Sequence, residues 1–293
     1  KEKGPEGIIF VKNDDLFSRI IREGDNAFPE SYMDGWWDTP DLLGLLDVIL
    51  LNNNEIGNSF HGAFFLRNYE RLVHWWNSNS KKQAKKNIFY HYDLGNEFYS
   101  KWLDKSMTYS SGLFNSKKES LEKAQENKYM NICKNIDPKP DDHILEIGCG
   151  WGGFMEYAIK QYKVKVTGLT ISKAQHDFTK KRLFEAGLSE RAKVILTDYR
   201  NQKGKFDGIA SIEMFEAVGE KYWPVYFSSL KNLMKNGAKS TLQTITVADE
   251  LFPQYRKRVD FIQKYIFPGG MLPSKKALEG QFLQVGLKKV NLK

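Results

Sequence analysis

The stretch His143-Ile-Leu-Glu-Ile-Gly-Cys-Gly-Trp-Gly-Gly153 decides the fold. An apolar strand runs directly into a glycine-rich turn, and the turn opens a helix. The glycines let the backbone approach a ligand closely, and the first turn of the helix offers backbone N–H groups without intrahelical partners. This pattern is typical of the first strand of a doubly wound parallel sheet, at the edge where such sheets bind nucleotides.

The choice of nucleotide depends on the acidic residues near this turn. The glycines satisfy the dinucleotide pattern, but an NAD site needs an acid at the end of the second strand, and residues 168–172 contain none. Glu146 lies inside the first strand, where nucleoside methyltransferases commonly place an acid near the methionine amino group. Asp198 closes the third predicted strand, where it could accept a hydrogen bond from an adenine amine. We therefore expect S-adenosylmethionine rather than NAD; the alternative is that both acids are solvated strand-end carboxylates.

Strands and helices alternate after Pro138, which predicts an α/β domain built on a parallel sheet. The strand candidates are residues 143–148, 164–170, 193–197, 208–214 and 240–247. Helices are expected between them, for example at residues 153–161 and 173–187. The predicted fold class is a Rossmann-like, doubly wound class I methyltransferase sheet with a small helical N-terminal domain.

The N-terminal part has a different sequence pattern, which is helical. Apolar residues recur at helical spacing within residues 13–51, and a third helix is expected at about residues 60–76. Residues 77–87 are polar and basic, which suits a linker. We therefore place a helical, lipid-binding domain at residues 1–80 and the methyltransferase domain at residues 81–293.

Composition limits the partners and the compartment. The 293 residues carry a formal net charge of +8, which favours an anionic partner such as nucleic acid, a phospholipid surface or a phosphorylated ligand, although a basic soluble enzyme fits equally. Two cysteines cannot build a disulfide framework, so the cytosol is the default. The most apolar stretch, residues 42–51, is shorter than the roughly 20 residues that span a bilayer. Membrane contact would then be peripheral, at the inner face. The sequence contains no metal-spaced Cys/His cluster.

Six segments together resemble the cyclopropane-fatty-acid-phospholipid synthase family, which includes mycolic acid cyclopropane synthases and fatty-acid methyltransferases. They occur in family order and cover nearly the whole chain. These segments are His91-Tyr-Asp-Leu-Gly-Asn-Glu-Phe-Tyr99, Met107-Thr-Tyr-Ser-Ser111, Gly148-Cys-Gly-Trp-Gly152, Leu169-Thr-Ile-Ser172, Ile212-Glu-Met-Phe-Glu-Ala-Val-Gly219 and Tyr265-Ile-Phe-Pro-Gly-Gly-Met-Leu-Pro-Ser274.

The resemblance implies a cofactor site and a reaction. S-adenosylmethionine would donate its methyl group to the cis double bond of an unsaturated phospholipid chain, and a base would then remove a proton to close a cyclopropane ring. The residues expected to contact the cofactor fall into four groups. Tyr109 and Ser110 come from the segment before the sheet, and Glu146, Gly148, Cys149, Gly150, Trp151 and Gly152 would hold the methionine portion. Thr170, Ser172 and Gln175 would bind the ribose, and Asp198, Tyr199, Arg200 and Ile212 would border the adenine. Tyr92 is expected to line the lipid side.

The resemblance also implies a bound bicarbonate as the base. Glu216 would be its partner, with Ser111, Gln243 and Ile245 completing the pocket. Many relatives have Cys at position 111 and His at position 243, and these two differences affect the ring-closing step rather than methyl transfer. On its own, Glu216 would be interpreted as a helix N-terminal carboxylate stabilised by the helix dipole.

Three other functions stay open at this stage. A fatty-acid methyltransferase would use a hydride shift and a later reduction to give a methyl-branched chain. A small-molecule N-methyltransferase shares parts of the pattern, and a non-enzymatic lipid-binding protein could keep the fold. We expect a phospholipid surface and acyl chains as partners, expect no nucleic acid, and leave a homodimer open.

The C-terminal residues 286–293 are predicted to start a sixth strand, because a glycine turn precedes alternating residues. The resembled family continues further, with a segment that supplies a tyrosine to the bicarbonate pocket. From this resemblance we expect either a chain truncated at its C-terminus or a disordered tail, and a damaged base site in this form.

Overall fold

A computed structural model describes residues 4–52, 80, 81, 83, 84, 87 and 95–291. The chain divides into two compact units, Lys1–Trp76 with Gln254–Pro268, and Asn77–Pro253 with Gly269–Lys293. The helix predicted at residues 60–76, most of the predicted linker and the predicted lipid-side residue Tyr92 lie outside the described residues. No sequence pattern indicates that residues 254–268 belong with the N-terminal segment.

The first unit is small and mainly helical. Its elements are β1 (Phe10–Val11), α1 (Asp15–Glu23), α2 (Ala27–Met33), β2 (Trp37–Asp38) and α3 (Leu42–Leu51), with a π-helical turn at Ile262–Ile266. The N-terminus of α3 is capped by Asp41, whose side chain accepts a hydrogen bond from the Gly44 N–H at 2.9 Å. Leu16, Trp37 and Leu45 form the core of this unit. No helix of the described residues is long and apolar enough to span a membrane.

The second unit is built on a five-stranded parallel sheet. Its strands are β3 (His143–Ile147), β4 (Lys165–Thr170), β5 (Ala192–Leu196), β6 (Phe206–Ile212) and β7 (Met234–Gln243), in the order β5-β4-β3-β6-β7. Every pairing is parallel. The predicted α/β class is confirmed, and the central strand β3 leads into the glycine turn.

The last of these strands differs from its prediction. Strand β7 ends at Gln243 rather than Val247, because its neighbour β6 ends at Ile212 and leaves later residues without a ladder. The N–H of Ile245 instead donates to the carboxylate of Glu216 at 2.6 Å. This early end places residues 243–245 at the carboxyl edge of the sheet.

Helices complete the second unit. They are α4 (Gly95–Ser100), α5 (Leu121–Ile136), α6 (Gly153–Tyr162), α7 (Lys173–Glu185), α8 (Trp223–Leu233) and α9 (Lys275–Gln284). One core is formed by α5 and α6 against β3 and β4, with Ile132, Ile144, Phe154 and Val166 among its buried residues. This packing fixes α5 and the turn after β3 beside the central strand.

The strand predicted at residues 286–293 does not form in the described residues. Gly286 adopts a φ of +69° and closes helix α9: its N–H donates to the Leu283 carbonyl, and the Leu287 N–H donates to the Phe282 carbonyl. The glycine turn is thus a helix cap rather than a strand entry. Residues 287–291 have no hydrogen-bonded strand beside them among the described residues.

Candidate active site

The glycine turn after β3 is shaped by backbone conformations that favour glycine. Gly148, Gly150 and Gly152 have φ values of +83°, +50° and +84°. A Cβ at Gly152 would come within 2.6 Å of the Thr179 methyl carbon, so the turn also needs a small residue there. At Gly150 an added Cβ would meet no protein atom within 4 Å. The turn therefore borders open space at Gly150, in the position where a ligand is expected.

Glu146 is a buried acid in the middle of the central strand. It pairs with Gly168 on one side and Ala210 on the other, and only 2% of its surface is exposed. Burial raises the pKa of its carboxyl to about 8, opposed by the charge of Lys128. Its Oε2 has no hydrogen-bond partner among the described residues. A buried acceptor without a donor is costly, so this oxygen suits a cationic ligand group such as an amine.

Lys128 is a site residue that the sequence reasoning missed. It lies on α5, where burial lowers the pKa of its ammonium to about 8. Its Nζ donates to the Ser110 hydroxyl, and Gln125 holds the same residue by donating to the Ser110 carbonyl at 2.8 Å. Helical spacing could have revealed it, because Lys128 shares a face with the buried Ala124 and Ile132.

The predicted ribose-binding residues form a neutral polar group after β4. The hydroxyl of Thr170 donates to the amide oxygen of Gln175 at 2.9 Å and accepts from the Ser172 N–H at 3.1 Å. Ser172 also caps helix α7. All three side chains are buried. Their hydroxyl and amide groups suit a ligand with hydroxyls, such as the ribose that the family resemblance implies here.

The predicted adenine-side residues are less open than expected. Arg200 binds both carboxylate oxygens of Asp198, at 2.8 Å from Nε and 2.6 Å from Nη2. Burial raises the pKa of the Tyr199 hydroxyl, and the Arg200 guanidinium lies 5.5 Å from its ring centroid. The Asp198 carboxylate is thus mostly buried, and Arg200 balances its charge. Ile212 packs against the main core at the end of β6.

Aromatic rings gather beside the glycine turn. The ring of Tyr99 lies 5.0 Å from that of Trp151 and 5.4 Å from that of Tyr109, measured between centroids. Trp151 donates from its indole N–H to the side chain of Asn96 at 2.7 Å. Burial raises the thiol pKa of the neighbouring Cys149 well above its ordinary value, which disfavours the nucleophilic thiolate form. Aromatic faces of this kind attract positive charge.

Two acids follow β6. Glu216 is buried, and its Oε1 accepts from the Ile245 N–H at 2.6 Å and from the Thr244 hydroxyl at 2.9 Å. Its Oε2 has no partner among the described residues, and burial raises the pKa of this carboxyl, with the charge of Glu213 adding to the effect. The structure thus brings Glu216 and Ile245 together as predicted, but Ser111 and Gln243 contact the other acid.

That other acid is Glu213, the second residue that the sequence reasoning missed. Its Oε1 accepts from the Ser111 N–H at 3.0 Å, the Ser111 hydroxyl at 2.6 Å and the Gln243 amide at 2.9 Å. We call Ser111, Glu213 and Gln243 the Glu213 cluster. The signal was available: Glu213 is the first acid after the end of β6, in a segment already singled out.

Comparisons with known proteins identify the family and the fold. The family model described as mycolic acid cyclopropane synthetase matches residues 79–293. Tuberculostearic acid methyltransferase UfaA1 of Mycobacterium tuberculosis (strain ATCC 25618 / H37Rv) is 34% identical over 289 residues, covering 92% of this chain and 65% of that protein. Cyclopropane-fatty-acyl-phospholipid synthase of Escherichia coli (strain K12) is 37% identical over 271 residues, covering 91% of this chain and 67% of that protein. The chain therefore spans about two thirds of the length of these relatives.

A solved structure shows the same architecture. Mycolic acid cyclopropane synthase CmaA1, complexed with SAH and CTAB, superposes with a TM-score of 0.66 at 29% identity, covering 71% of this chain and 76% of that chain. The parallel sheet with its glycine turn is thus the fold of class I S-adenosylmethionine-dependent methyltransferases. By the match of its family model, its relatives and its fold, the chain belongs to the mycolic acid cyclopropane synthetase family.

Proposed function

We propose that the chain is an S-adenosylmethionine-dependent methyltransferase that acts on the cis double bonds of unsaturated phospholipid acyl chains. The observation that carries this proposal is the pairing of an open glycine turn at Gly150 with the buried, partnerless Oε2 of Glu146. An amino acid ligand brings both an ammonium for the acid and a carboxylate for backbone N–H groups at a turn. A cyclopropane is the expected product, and a methyl-branched chain is the alternative, supported by the 34% identity to a tuberculostearic acid methyltransferase.

The residues present fit the cofactor. Glu146 would hold its amino group, the turn Gly148–Gly152 its methionine portion, and Thr170 and Gln175 its ribose. Asp198, Tyr199, Arg200 and Ile212 would border the adenine. When bound, S-adenosylmethionine supplies an electrophilic methyl carbon, whose bond to sulfur breaks as the alkene π electrons form the new carbon–carbon bond.

The aromatic rings beside the glycine turn can stabilise the positive charge that this reaction creates. Methyl transfer to an alkene leaves a positive charge on the acyl chain, and a cation of this kind reacts with any nucleophile in contact with it. The rings of Tyr99, Tyr109 and Trp151 offer π faces that stabilise a cation without a covalent bond. Their bulk also keeps water from the reacting carbon. Tyr92, outside the described residues, stays a predicted member of this lining.

Contact with lipid would come from exposed apolar residues of the first unit and from the positive net charge of the chain. Helix α3 exposes five leucines that are not part of the core of this unit: Leu42, Leu43, Leu46, Leu50 and Leu51. Exposed leucines beside a net charge of +8 support peripheral binding to an anionic bilayer. The proposed lipid-binding domain is residues 1–80, and the proposed methyltransferase domain is residues 81–293 without Gln254–Pro268, which belongs to the first unit.

The test is a labelled-methyl assay with competing acceptors. The protein is incubated with methyl-labelled S-adenosylmethionine and vesicles of either monounsaturated or saturated phospholipid, and separately with small amines. We expect label in the acyl chains of the unsaturated lipid alone. Label in an amine would instead identify an N-methyltransferase. Tight cofactor binding without transfer to any acceptor would contradict the proposed activity.

A further inference from the structure

The Glu213 cluster holds the Glu213 carboxylate in a fixed position. Glu213 follows β6 directly and has a φ of +44°, which is uncommon for a residue with a side chain. Its own N–H donates to the Gln243 carbonyl at 2.9 Å, so the end of β7 fixes its backbone. Strained residues of this kind persist where the surrounding structure determines them, often at functional sites.

The cluster uses the donors that were expected to hold bicarbonate. The Ser111 hydroxyl and the Gln243 amide both donate to Oε1 of Glu213. Gln243 also lies 3.2 Å from the Ser111 hydroxyl oxygen, so the two donors converge on one point. A bicarbonate there would have to displace the Glu213 carboxylate or lie beside it, against like-charge repulsion. The residues present therefore do not fit a bound bicarbonate.

We propose that Glu213 is the built-in base of this enzyme and that its carboxylate takes the place of a bound bicarbonate. The inference rests on the proposed function, because it assigns the proton acceptor of that reaction. Ser111 and Gln243 are then positioning residues. Their hydrogen bonds hold Oε1 of Glu213 and do not involve Oε2.

The other acid is less suited to this step. Glu216 is buried, with Oε1 committed to Ile245 and Thr244. Glu213 is half-buried, and no described residue donates to its Oε2, so this oxygen can both take a proton and pass it to water. The charge of Glu213 also contributes to the raised pKa of the Tyr109 hydroxyl, after burial, which links the carboxylate to the aromatic group.

The step balances without a further reactant. After methyl transfer, the acyl chain carries one positive charge, and the Glu213 carboxylate carries one negative charge. The carboxylate forms an O–H bond with a proton of the transferred carbon, and the C–H electron pair forms the closing bond of a cyclopropane. If a hydride has shifted first, the same pair forms a carbon–carbon double bond. Both products are neutral, and the carboxylic acid returns its proton to water.

The experiment combines an anion titration with kinetics. Sodium bicarbonate is titrated by calorimetry into wild type and Glu213→Gly, each saturated with S-adenosylhomocysteine. Glycine accepts the positive φ and removes the carboxylate, so we expect binding heat for the variant and none for wild type. Bicarbonate binding to wild type would overturn the inference, whether or not the lipid assay succeeds.

The kinetic arm uses carbon-dioxide-free buffer. Wild type should keep its rate there, whereas Glu213→Gln, which preserves shape and acceptor oxygen, should lose about 100-fold or more in kcat with little change in cofactor affinity. Glu213→Gly should regain rate when bicarbonate is added. Glu185→Gln is the matched control, since that carboxylate is exposed at the end of α7. A fully active Glu213→Gln would overturn the inference, whereas a wild type without lipid methylation would instead defeat the proposed function.

Discussion

Burial governs the acid–base behaviour of individual residues in this site. The carboxyl of Glu146 has its pKa raised to about 8, whereas an unfolded chain gives a glutamate about 4.3. Between these values the folded protein keeps a proton that the unfolded chain releases. The free energy of unfolding therefore falls as pH rises from about 4.3 to 8, the reverse of the usual carboxylate effect.

Glu146→Gln tests both the burial and the ligand role of this residue. The amide removes the buried charge, so the ligand-free variant should be more stable than wild type at pH 8 by on the order of 1 to 4 kcal/mol, with little difference at pH 5. It should bind S-adenosylmethionine about tenfold or more weakly, because the ligand ammonium loses its counter-charge. Denaturant unfolding at the two pH values and calorimetry measure these effects. Unchanged affinity would show that Glu146 does not meet the amino group.

At this scale the sequence predicts the location of a residue where a motif carries it, and the cofactor contacts of these residues stay predictions. Glu146, Thr170 and Gln175 lie beside the turn because their positions follow from strand ends. Lys128 and Glu213 escaped because their environments are tertiary: one is buried by helix packing, and the other receives donors 102 and 30 residues away in the chain. Sequence spacing alone carries no information on such contacts.

The glycine turn is the element on which cofactor binding depends. Gly150 and Gly187 both have positive φ, at +50° and +69°, and neither would place a Cβ within 4 Å of another atom. They are therefore matched in backbone strain but not in location, since Gly187 follows helix α7.

Gly150→Leu should abolish S-adenosylmethionine binding, whereas Gly187→Leu should keep it. Both changes should lower stability by about 1 to 2 kcal/mol, because a side chain is unfavourable in the left-handed region. Calorimetry with thermal unfolding checks the two effects separately. Cofactor binding by the Gly150 variant would mean that the open space at the turn does not hold the ligand.

The strands and helices predicted most accurately are those whose sequence signals lie within the element itself. Strands β3 to β6 lie within about two residues of their predicted bounds, because apolar runs between turns define them. Strand β7 begins at Met234, earlier than predicted. The apolar pattern does not reveal its first half, because that half is polar and includes Gly237. The strand expected after Gly286 was wrong because a glycine turn fits a helix cap and a strand entry equally well.

The whole molecule combines a methyltransferase unit with a helical unit that we propose contacts lipid. The N-terminal segment and Gln254–Pro268 share one unit, although residues 77–253 of the chain lie between them. Within it, Glu30 accepts from Lys264 and Tyr265. Such long-range association leaves no periodic signature, so sequence patterns could not reveal it.

Leu50→Asp tests the proposed lipid contact of α3. Leu50 is 71% exposed, and Leu283 on α9, which is 75% exposed, is the matched control. The α3 variant should sediment less with anionic vesicles, because a charge opposes insertion of an exposed leucine, and cofactor affinity should be unchanged. Binding should also weaken as salt rises. Equal loss in both variants, or in neither, would remove α3 from the lipid surface.

The most direct test of the central claim follows the transferred carbon itself. The protein is incubated with S-adenosylmethionine carrying a fully deuterated methyl group and with vesicles of a monounsaturated phospholipid, and the acyl chains are analysed by mass spectrometry. Methyl transfer to the double bond followed by proton loss predicts a new one-carbon unit that retains two of the three deuterium atoms. Acyl chains without label, in the presence of bound cofactor, would contradict the account.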